Sequence, residues 1–244
     1  MTDSIWMSEY QSLEDETARR AAIGTPRVTS TTSVTTERST YGAFTVDSTE
    51  LGPYFCGSPH HDLLHHVLDN VVGWWPSDIY PEMVRHGVAL EFGVGDGTSL
   101  RCIASHLPVV GFDSFEGLPE DWREGYPQGS FRFDPPRNLP PTAALVCGTF
   151  EEVLPTYGFE GAHPVRLVNI DCDLYSSTKM VLKHLPWPNM IHSKAVIHFD
   201  EFHGFDGAED HEQRAWRELE DDIGFMPKYE VIGHGHQAWA IRLL

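Results

Sequence analysis

The sequence predicts an α/β fold with a mostly parallel seven-stranded sheet, helices on both faces and a C-terminal antiparallel hairpin. Two observations support this prediction. From residue 88 onward, short apolar segments alternate with segments of helical periodicity, which gives five strand–helix units. Two further strand-like segments, 228–233 and 237–242, are separated by a Gly-His-Gly-His turn. In such a fold the parallel strands end at one edge of the sheet, where ligands bind.

The 244 residues fit one large domain preceded by an arm. We predict a Ser/Thr-rich N-terminal arm at residues 1–50 and a single domain at 51–244. The arm has too few large apolar groups to form a core. It is either a mobile leader or a segment that orders over the active site or over a neighbouring subunit of a homo-oligomer. A helix is predicted over 60–72, where apolar residues such as Leu64 and Leu68 have helical spacing.

The segment 88–100 predicts a strand, a glycine turn and a helix, and it is the centre of the predicted domain. Gly93, Gly95 and Gly97 allow the backbone to turn with positive φ and to approach a ligand closely. The helix that begins at Thr98 presents unpaired N–H groups to an electron-rich ligand. A nucleotide-like cofactor is the usual occupant, and we assign the three glycines to its site.

The residues around this turn indicate which cofactor binds. Glu91 begins a Glu-x-Gly-x-Gly-x-Gly pattern, whereas a dinucleotide fingerprint has Gly-x-Gly-x-x-Gly. A carboxylate there would repel a pyrophosphate, but S-adenosylmethionine has an ammonium and a sulfonium and no phosphate. Asp113 ends the second predicted strand, 108–113, and follows Gly93 by 20 positions, where an acid holds a ribose diol. We therefore predict S-adenosylmethionine as the cofactor.

The remaining elements alternate along the chain. The predicted strands are 143–147, 165–171 and 194–200, and the predicted helices are 98–106, 150–157, about 177–185 and 209–222. The connection 116–142 is rich in Pro and Gly. Connections of that length in a compact domain are usually functional or mobile.

Carboxylates end the fourth and fifth predicted strands, which we expect to be neighbours beside the first. Asp171 closes the fourth, and Asp200 and Glu201 close the fifth. Like charges so close together are costly unless a cation lies between them, and hard oxygen ligands suit Mg²⁺. The alternative is that Asp171 caps the next turn and Asp200 binds cofactor or water. A rival set of His198, Asp200 and His203 would suit a transition metal, although His198 lies within an apolar strand.

Charge and cysteine usage exclude some classes of function. The chain has 17 Lys and Arg against 36 Asp and Glu, and nucleic-acid binding requires clustered basic residues. The 4 cysteines form no Cys-x-x-Cys pair, and no segment approaches the apolar length of a membrane span. We expect a cytoplasmic protein with neither nucleic-acid nor membrane partners.

Two alternative functions remain open. Tyr175 and Lys179 match the Tyr-x-x-x-Lys of short-chain dehydrogenases, but Tyr175 comes directly after a strand and the glycine turn lies about 90 residues into the chain, so we interpret the match as chance. The alternative enzyme is a nicotinamide-dependent dehydrogenase. Glu91 and the glycine spacing disfavour it. The alternative outside enzymes is a catalytically silent binding module with the same fold, which the intact strand-end carboxylates disfavour.

The chain resembles the macrocin O-methyltransferase family over roughly residues 85–220. The segments that carry the resemblance include Leu-Glu-Phe-Gly-Val-Gly-Asp-Gly-Thr-Ser at 90–99, Gly-Phe-Asp-Ser-Phe-Glu-Gly-Leu-Pro at 111–119, Gly-Thr-Phe-Glu-Glu-Val-Leu-Pro at 148–155, Asp-Cys-Asp-Leu-Tyr-Ser-Ser-Thr at 171–178 and Phe-Asp-Glu-Phe at 199–202. The resemblance implies a Rossmann-like class I methyltransferase that uses S-adenosylmethionine, and Mg²⁺ to hold a vicinal diol. The implied acceptor is a hydroxyl of a small molecule, such as a natural-product sugar.

The resemblance also implies individual roles. The implied cofactor contacts are Glu91, Gly93, Thr98 and Ser99 around the methionine part, Asp113, Ser114 and Phe115 at the ribose and adenine, and Phe150 on the adenine side. The implied metal ligands are Asp171, Asp200 and Glu201, which makes Asp171 essential for catalysis. A base must take the acceptor's proton, and His203, just beyond the ligand strand, is our candidate, with a surface histidine as the alternative.

Overall fold

The computed structural model describes residues 62–71, 87–159, 164–187 and 191–244. The predicted arm at 1–50 lies outside these residues, so that prediction stays untested. Within the described ranges, no helix has both the length and the apolar character needed to cross a bilayer.

Strands and helices alternate in the predicted order. The described helices are α1 (Asp62–Val71), α2 (Thr98–Ala104), α3 (Phe150–Val153), α4 (Tyr175–His184), α5 (Glu212–Arg217) and α6 (Leu219–Ile223), with a short 3₁₀ turn at Ala208–Asp210. The strands are β1 (Val88–Phe92), β2 (Val109–Asp113), β3 (Ala143–Cys147), β4 (Val165–Ile170), β5 (Ile191–Phe199), β6 (Tyr229–His234) and β7 (Trp239–Leu243).

The described strands form one seven-stranded sheet in the order β3-β2-β1-β4-β5-β7-β6. The first five strands are parallel, and β7 joins β5 and β6 by antiparallel pairing. This is a Rossmann-like, mostly parallel seven-stranded sheet with a C-terminal antiparallel hairpin, and the predicted fold class is confirmed. The strand order reverses between β1 and β4, which creates a crevice at their carboxyl ends.

Alternation along the strands divides the core into two layers. Leu90, Phe92 and Ile170 pack with α4 and the segment 212–219 on one face of the sheet. Ala89 and Leu167 pack on the other face with α1 and α2, including the predicted apolar residues of α1. Both faces are therefore covered, which explains why the central strands read as nearly continuous apolar runs.

Two predicted helices differ from the structure. The helix predicted at 150–157 is shorter, because α3 ends at Val153 and a turn follows. The helix predicted at 209–222 is broken at His211, where φ is −108° and ψ is −119°, so α5 begins only at Glu212. Glu212 is completely buried, on the helix face that also carries the buried Ala215, Trp216 and Leu219.

The long connection after β2 is folded rather than extended. The backbone N–H of Leu118 donates to the carbonyl oxygen of Ser130 at 2.8 Å, and the N–H of Gly129 donates to the carbonyl oxygen of Leu118 at 2.9 Å. Leu118 and Trp122 pack against Leu174 and Phe205, which follow β4 and β5. The connection thus forms one wall of the crevice at the carboxyl edge of the sheet.

Candidate cofactor and metal site

The glycine turn after β1 lies directly against the end of β4. Gly93 has φ of +87°, and a β-carbon there would lie 1.7 Å from the carbonyl oxygen of Asp171. Gly95 and Gly97 also have positive φ, of +53° and +81°. Only glycine fits such a close approach with a left-handed backbone, so the turn brings open backbone next to the first strand-end carboxylate.

Asp113 holds this turn in place. One carboxylate oxygen, Oδ2, accepts the backbone N–H groups of Val94 at 2.7 Å and Gly95 at 2.9 Å. The other oxygen, Oδ1, accepts the N–H of Phe115 at 2.7 Å. Asp113 lines the cleft as well, and a carboxylate oxygen can accept more than one hydrogen bond. Its predicted contact with a ribose diol is compatible with this geometry and remains a prediction.

The three predicted metal ligands lie together at the ends of β4 and β5. Asp171, Asp200 and Glu201 each offer one carboxylate oxygen, and these oxygens all lie within 4.8 Å of one another. The two strands continue their parallel ladder here, since the Asp200 N–H donates to the carbonyl of Ile170 at 2.9 Å. Register between β4 and β5 therefore sets the spacing of the carboxylates.

Burial makes this cluster costly without a cation. Burial raises the pKa of Asp171 and of Glu201 well above the ordinary carboxylate value, and the neighbouring charge of Asp200 raises both further. Oε2 of Glu201 is buried and has no hydrogen-bond partner among the described residues. A buried acceptor without a donor, facing two other carboxylates, fits a divalent ion with hard oxygen ligands.

Two further carboxylates belong to this neighbourhood, and neither was a predicted site residue. Asp173 lines the cleft with φ of +62°, and burial followed by the charge of Asp200 raises its pKa to about 7. Glu212 is completely buried and does not line the cleft. Burial raises its pKa well above the usual range, and the charges of Asp173 and Asp200 raise it further. Asp173 follows the strand end in sequence, but nothing in the pattern distinguishes Glu212.

Glu91 does not line the cleft. It is completely buried on the α1–α2 face of the sheet, where Asn169 Nδ2 donates to Glu91 Oε1 at 3.0 Å and the Ser99 hydroxyl also bonds the carboxyl. Burial raises the pKa of Glu91 to about 8, against the lowering effect of these two hydrogen bonds. The same Asn169 also contacts His198, whose Nδ1 lies 2.7 Å from Asn169 Oδ1. The predicted contact of Glu91 with the methionine part stays a prediction, since its side chain is buried next to the turn and is not part of the cleft lining.

His203 is also turned away from the cleft. Its Nε2 lies 3.1 Å from the carbonyl oxygen of Ala238, and the side chain is buried. Burial, with a smaller contribution from His234, lowers the pKa of His203 to about 4. The predicted role of His203 as general base is not supported by this geometry. Among the described residues the carboxylate trio is the one group with metal-ligand spacing, and neither His198 nor His203 belongs to it.

A cleft of about 490 Å³ joins the turn, the carboxylates and the long connection. The predicted site residues that line it are Gly93, Gly95, Thr98, Ser99, Asp113, Ser114, Phe150, Asp171 and Glu201. Phe115 instead packs in the α1–α2 layer, and Gly97 lies beside Pro136. The lining residues that were not predicted as site residues mostly belong to the long connection, which the sequence predicted to be functional or mobile, and they include Trp122, Arg123, Tyr126, Phe131 and Phe133.

The Tyr-x-x-x-Lys pair serves a different purpose. The Tyr175 hydroxyl and the Lys179 ammonium both donate to Glu218 Oε2, each at 2.6 Å. Neither side chain lines the cleft. The two side chains thus connect α4 to Glu218, between α5 and α6. The match therefore gives no support to the dehydrogenase alternative.

Comparison with known proteins supports the fold. No family model matches the chain, and no curated protein matches it. Among solved structures, the chain is similar to the calicheamicin methyltransferase CalS11, with 20% identity, 76% of this chain and 93% of that chain covered, and a TM-score of 0.51. It is also similar to the O-methyltransferase NovP, with 17% identity, 72% and 78% covered, and a TM-score of 0.50. At these identities the likeness establishes the fold.

Proposed function

We propose that this protein is an S-adenosylmethionine-dependent O-methyltransferase that binds Mg²⁺ and acts on a hydroxyl of a small-molecule acceptor. The observation that carries the proposal is the contact between the glycine turn and the carboxylate cluster. Gly93 packs on the backbone of Asp171, so a cofactor cradled by the turn and an ion held by Asp171, Asp200 and Glu201 would be neighbours. The two similar structures of known class are both methyltransferases.

The chain's own residues fit both groups. The turn exposes backbone at Gly93 and Gly95, and Phe150 provides an aromatic surface at the far side of the cleft. Asp171, Asp200 and Glu201 supply hard oxygen ligands whose mutual repulsion a divalent ion would relieve. S-Adenosylmethionine supplies an activated methyl group, and Mg²⁺ lowers the pKa of a bound hydroxyl and fixes its position.

Catalysis in such a site rests largely on alignment. Holding two reactants in a productive geometry can remove about 7–11 kcal/mol of a barrier by replacing a bimolecular encounter. The rigid contact between β1 and β4 sets the relation between the two half-sites. The proton acceptors that line the cleft among the described residues are carboxylates such as Asp173, since no histidine lines it.

Isothermal titration with S-adenosylmethionine tests the proposal first, and absence of binding at millimolar cofactor would remove it. A methyl-transfer assay against a hydroxylated metabolite extract, with Mg²⁺ and with EDTA, tests the reaction. Asp171→Asn should abolish Mg²⁺-dependent transfer while cofactor affinity changes little. Asp134→Asn, which makes the same change at an exposed residue of the connection, is the matched control. A parallel titration with NADH tests the dehydrogenase alternative.

A cytoplasmic location, the N-terminal arm as a lid, and a natural-product sugar as acceptor remain predictions from the sequence. The acidic character of the chain supports a small-molecule acceptor rather than nucleic acid.

A further inference from the structure

The charges around the cleft are strongly unequal. The acidic side chains that line it among the described residues are Asp96, Asp113, Glu116, Glu151, Asp171, Asp173 and Glu201. Arg123 is the single Lys or Arg in the same lining. A single cation among these carboxylates offers one place in the lining where an anionic group of a ligand is attracted.

Arg123 is held by aromatic rings. Its guanidinium carbon lies 3.9 Å from the ring centre of Trp122, 4.4 Å from that of Phe205 and 5.1 Å from that of Tyr126. Stacking on ring faces fixes the plane of a guanidinium and leaves the N–H groups at its edge available to a planar or tetrahedral anion. The side chain is half-buried, so its position is set before a ligand arrives.

Arg123 donates no hydrogen bond and forms no ion pair to any described residue. Arg101 shows the contrast, since its guanidinium donates to the backbone carbonyls of Asp96, Gly97 and Arg137. The guanidinium nitrogens of Arg123 are not among the buried polar atoms that lack a partner, so they are accessible to solvent and to a ligand in the cleft. An arginine offers five N–H donors to such a ligand. No hydrogen bond or ion pair joins Arg123 to Asp173, the nearby carboxylate whose pKa its charge lowers.

Two nitrogens beside Arg123 are likewise without partners. Trp122 Nε1 and His211 Nδ1 are buried, and neither has a hydrogen-bond partner among the residues described. His211 lies in ring contact with both Trp122 and Phe205, with ring centres 6.4 and 6.3 Å apart. Burial lowers the pKa of His211 and the charge of Arg123 lowers it further, against the raising effect of Asp210 and Glu120. Buried polar nitrogens without partners are uncommon in native proteins, and a ligand or an ordered water completes such groups.

We propose that the acceptor carries an anionic group, a phosphate or a carboxylate, that binds Arg123 while a ring of the acceptor packs on the aromatic wall formed by Trp122, Tyr126 and Phe131. This inference rests on the proposed function, because it assigns the part of the cleft left over from the cofactor and the metal. Tyr126 and Phe131 are stacked with ring centres 5.3 Å apart, and Phe131 is 45% exposed, so the wall presents an open apolar surface to a ring. Arg123 would then fix the orientation of the acceptor, with its hydroxyl toward the carboxylate cluster.

The first experiment measures anion binding without the methyl donor or metal. Full-length protein is treated with EDTA, dialysed, and titrated at constant ionic strength with phenyl phosphate, with benzoate and with neutral benzyl alcohol, by calorimetry. Phenyl phosphate and benzoate distinguish the phosphate from the carboxylate source. We expect one of them to bind in the millimolar range or tighter and benzyl alcohol to bind more weakly.

Arg123→Gln should weaken binding of that anion by about 10-fold or more, the effect expected for loss of a charge-assisted pair. Arg123→Lys should recover part of the loss, because it keeps the charge without the fork. Arg132→Gln removes the same charge from an exposed residue of the same connection that does not line the cleft, and it should bind the anion as the native protein does. Thermal unfolding verifies that each variant is folded.

Three results of the anion titrations would overturn the proposal. The first is that neither anion binds the native protein, and the second is that the native protein and Arg123→Gln bind the anion equally well. The third is that Arg132→Gln loses as much anion affinity as Arg123→Gln does. A titration with S-adenosylmethionine separates the two proposals. Arg123→Gln should bind S-adenosylmethionine as tightly as the native protein does. A 10-fold loss of this affinity in Arg123→Gln would assign Arg123 to the carboxylate of the methyl donor and would also overturn the inference. If the native protein binds the anion but not S-adenosylmethionine, the proposed function fails while the anion site stands.

Discussion

A β-carbon on Gly93 would lie 1.7 Å from the carbonyl oxygen of Asp171. This contact joins the turn after β1 to the first carboxylate after β4, across the point where the strand order reverses. Any side chain at residue 93 would push the two half-sites apart, so the contact is the structural basis for placing a cofactor beside a metal ion.

Gly93→Ala should therefore abolish S-adenosylmethionine binding and destabilise the protein. Alanine at φ of +87° is strained by about 1–3 kcal/mol, and overlap with backbone adds a comparable cost. Gly224→Ala is the matched control, because Gly224 has φ of +82° and nothing within 4 Å of an added β-carbon. Chemical denaturation should show the larger loss for Gly93→Ala. Equal losses in the two variants would contradict the importance of the contact with Asp171.

Glu91→Gln should flatten the dependence of stability on pH. Burial raises the pKa of Glu91 to about 8, so the folded protein holds a proton that the unfolded chain has released above its ordinary carboxyl pKa. The resulting stabilisation of the folded protein is fully present below the pKa that Glu91 has in the unfolded chain. It is lost as the pH rises toward the pKa that Glu91 has in the folded protein. Relative to Glu91→Gln, the native protein should lose about 3 kcal/mol between about pH 5 and pH 8. Parallel stability curves in urea for the two proteins would refute the buried, protonated state.

His203→Gln should leave the rate of methyl transfer within about 2-fold of the native rate, whereas loss of a general base would lower the rate by about 10²- to 10⁴-fold. The imidazole lies against the carbonyl of Ala238 and its pKa is lowered to about 4, so at neutral pH it is neutral and engaged. Single-turnover rates with saturating cofactor measure the effect. A loss of about 100-fold in a folded variant would restore His203 as the base.

The sequence predicted the sheet and the position of the site because both depend on short-range patterns. Apolar runs of strand length, the glycine turn and carboxylates directly after strands are local signals, and strand order follows from the handedness of crossovers. Asp171, Asp200 and Glu201 were therefore identified from their place at strand ends, and the structure brings them within 4.8 Å.

The sequence says least about residues whose role depends on the direction of the side chain. Glu91 lies between Leu90 and Phe92, which face the α4 side, so alternation turns it toward α1 and α2 and under the turn. His203 follows the strand, where no periodicity fixes its direction. The connection that carries Arg123 has no period at all, and its inward residues are set by loop hydrogen bonds and by contacts with Phe205 that no local pattern reveals.

The most direct test of the central claim is the effect of Mn²⁺ on the NMR signal of the labelled methyl group in S-[methyl-¹³C]adenosylmethionine bound to the protein. Mn²⁺ accepts the same oxygen ligands as Mg²⁺, and its unpaired electrons broaden only nearby nuclei. We expect stoichiometric Mn²⁺ to broaden the methyl signal beyond detection in the native protein and to leave it sharp in Asp171→Asn, with Asp134→Asn behaving as the native protein. A sharp methyl signal in native protein saturated with both cofactor and Mn²⁺ would contradict the claim that the donor and the ion lie side by side.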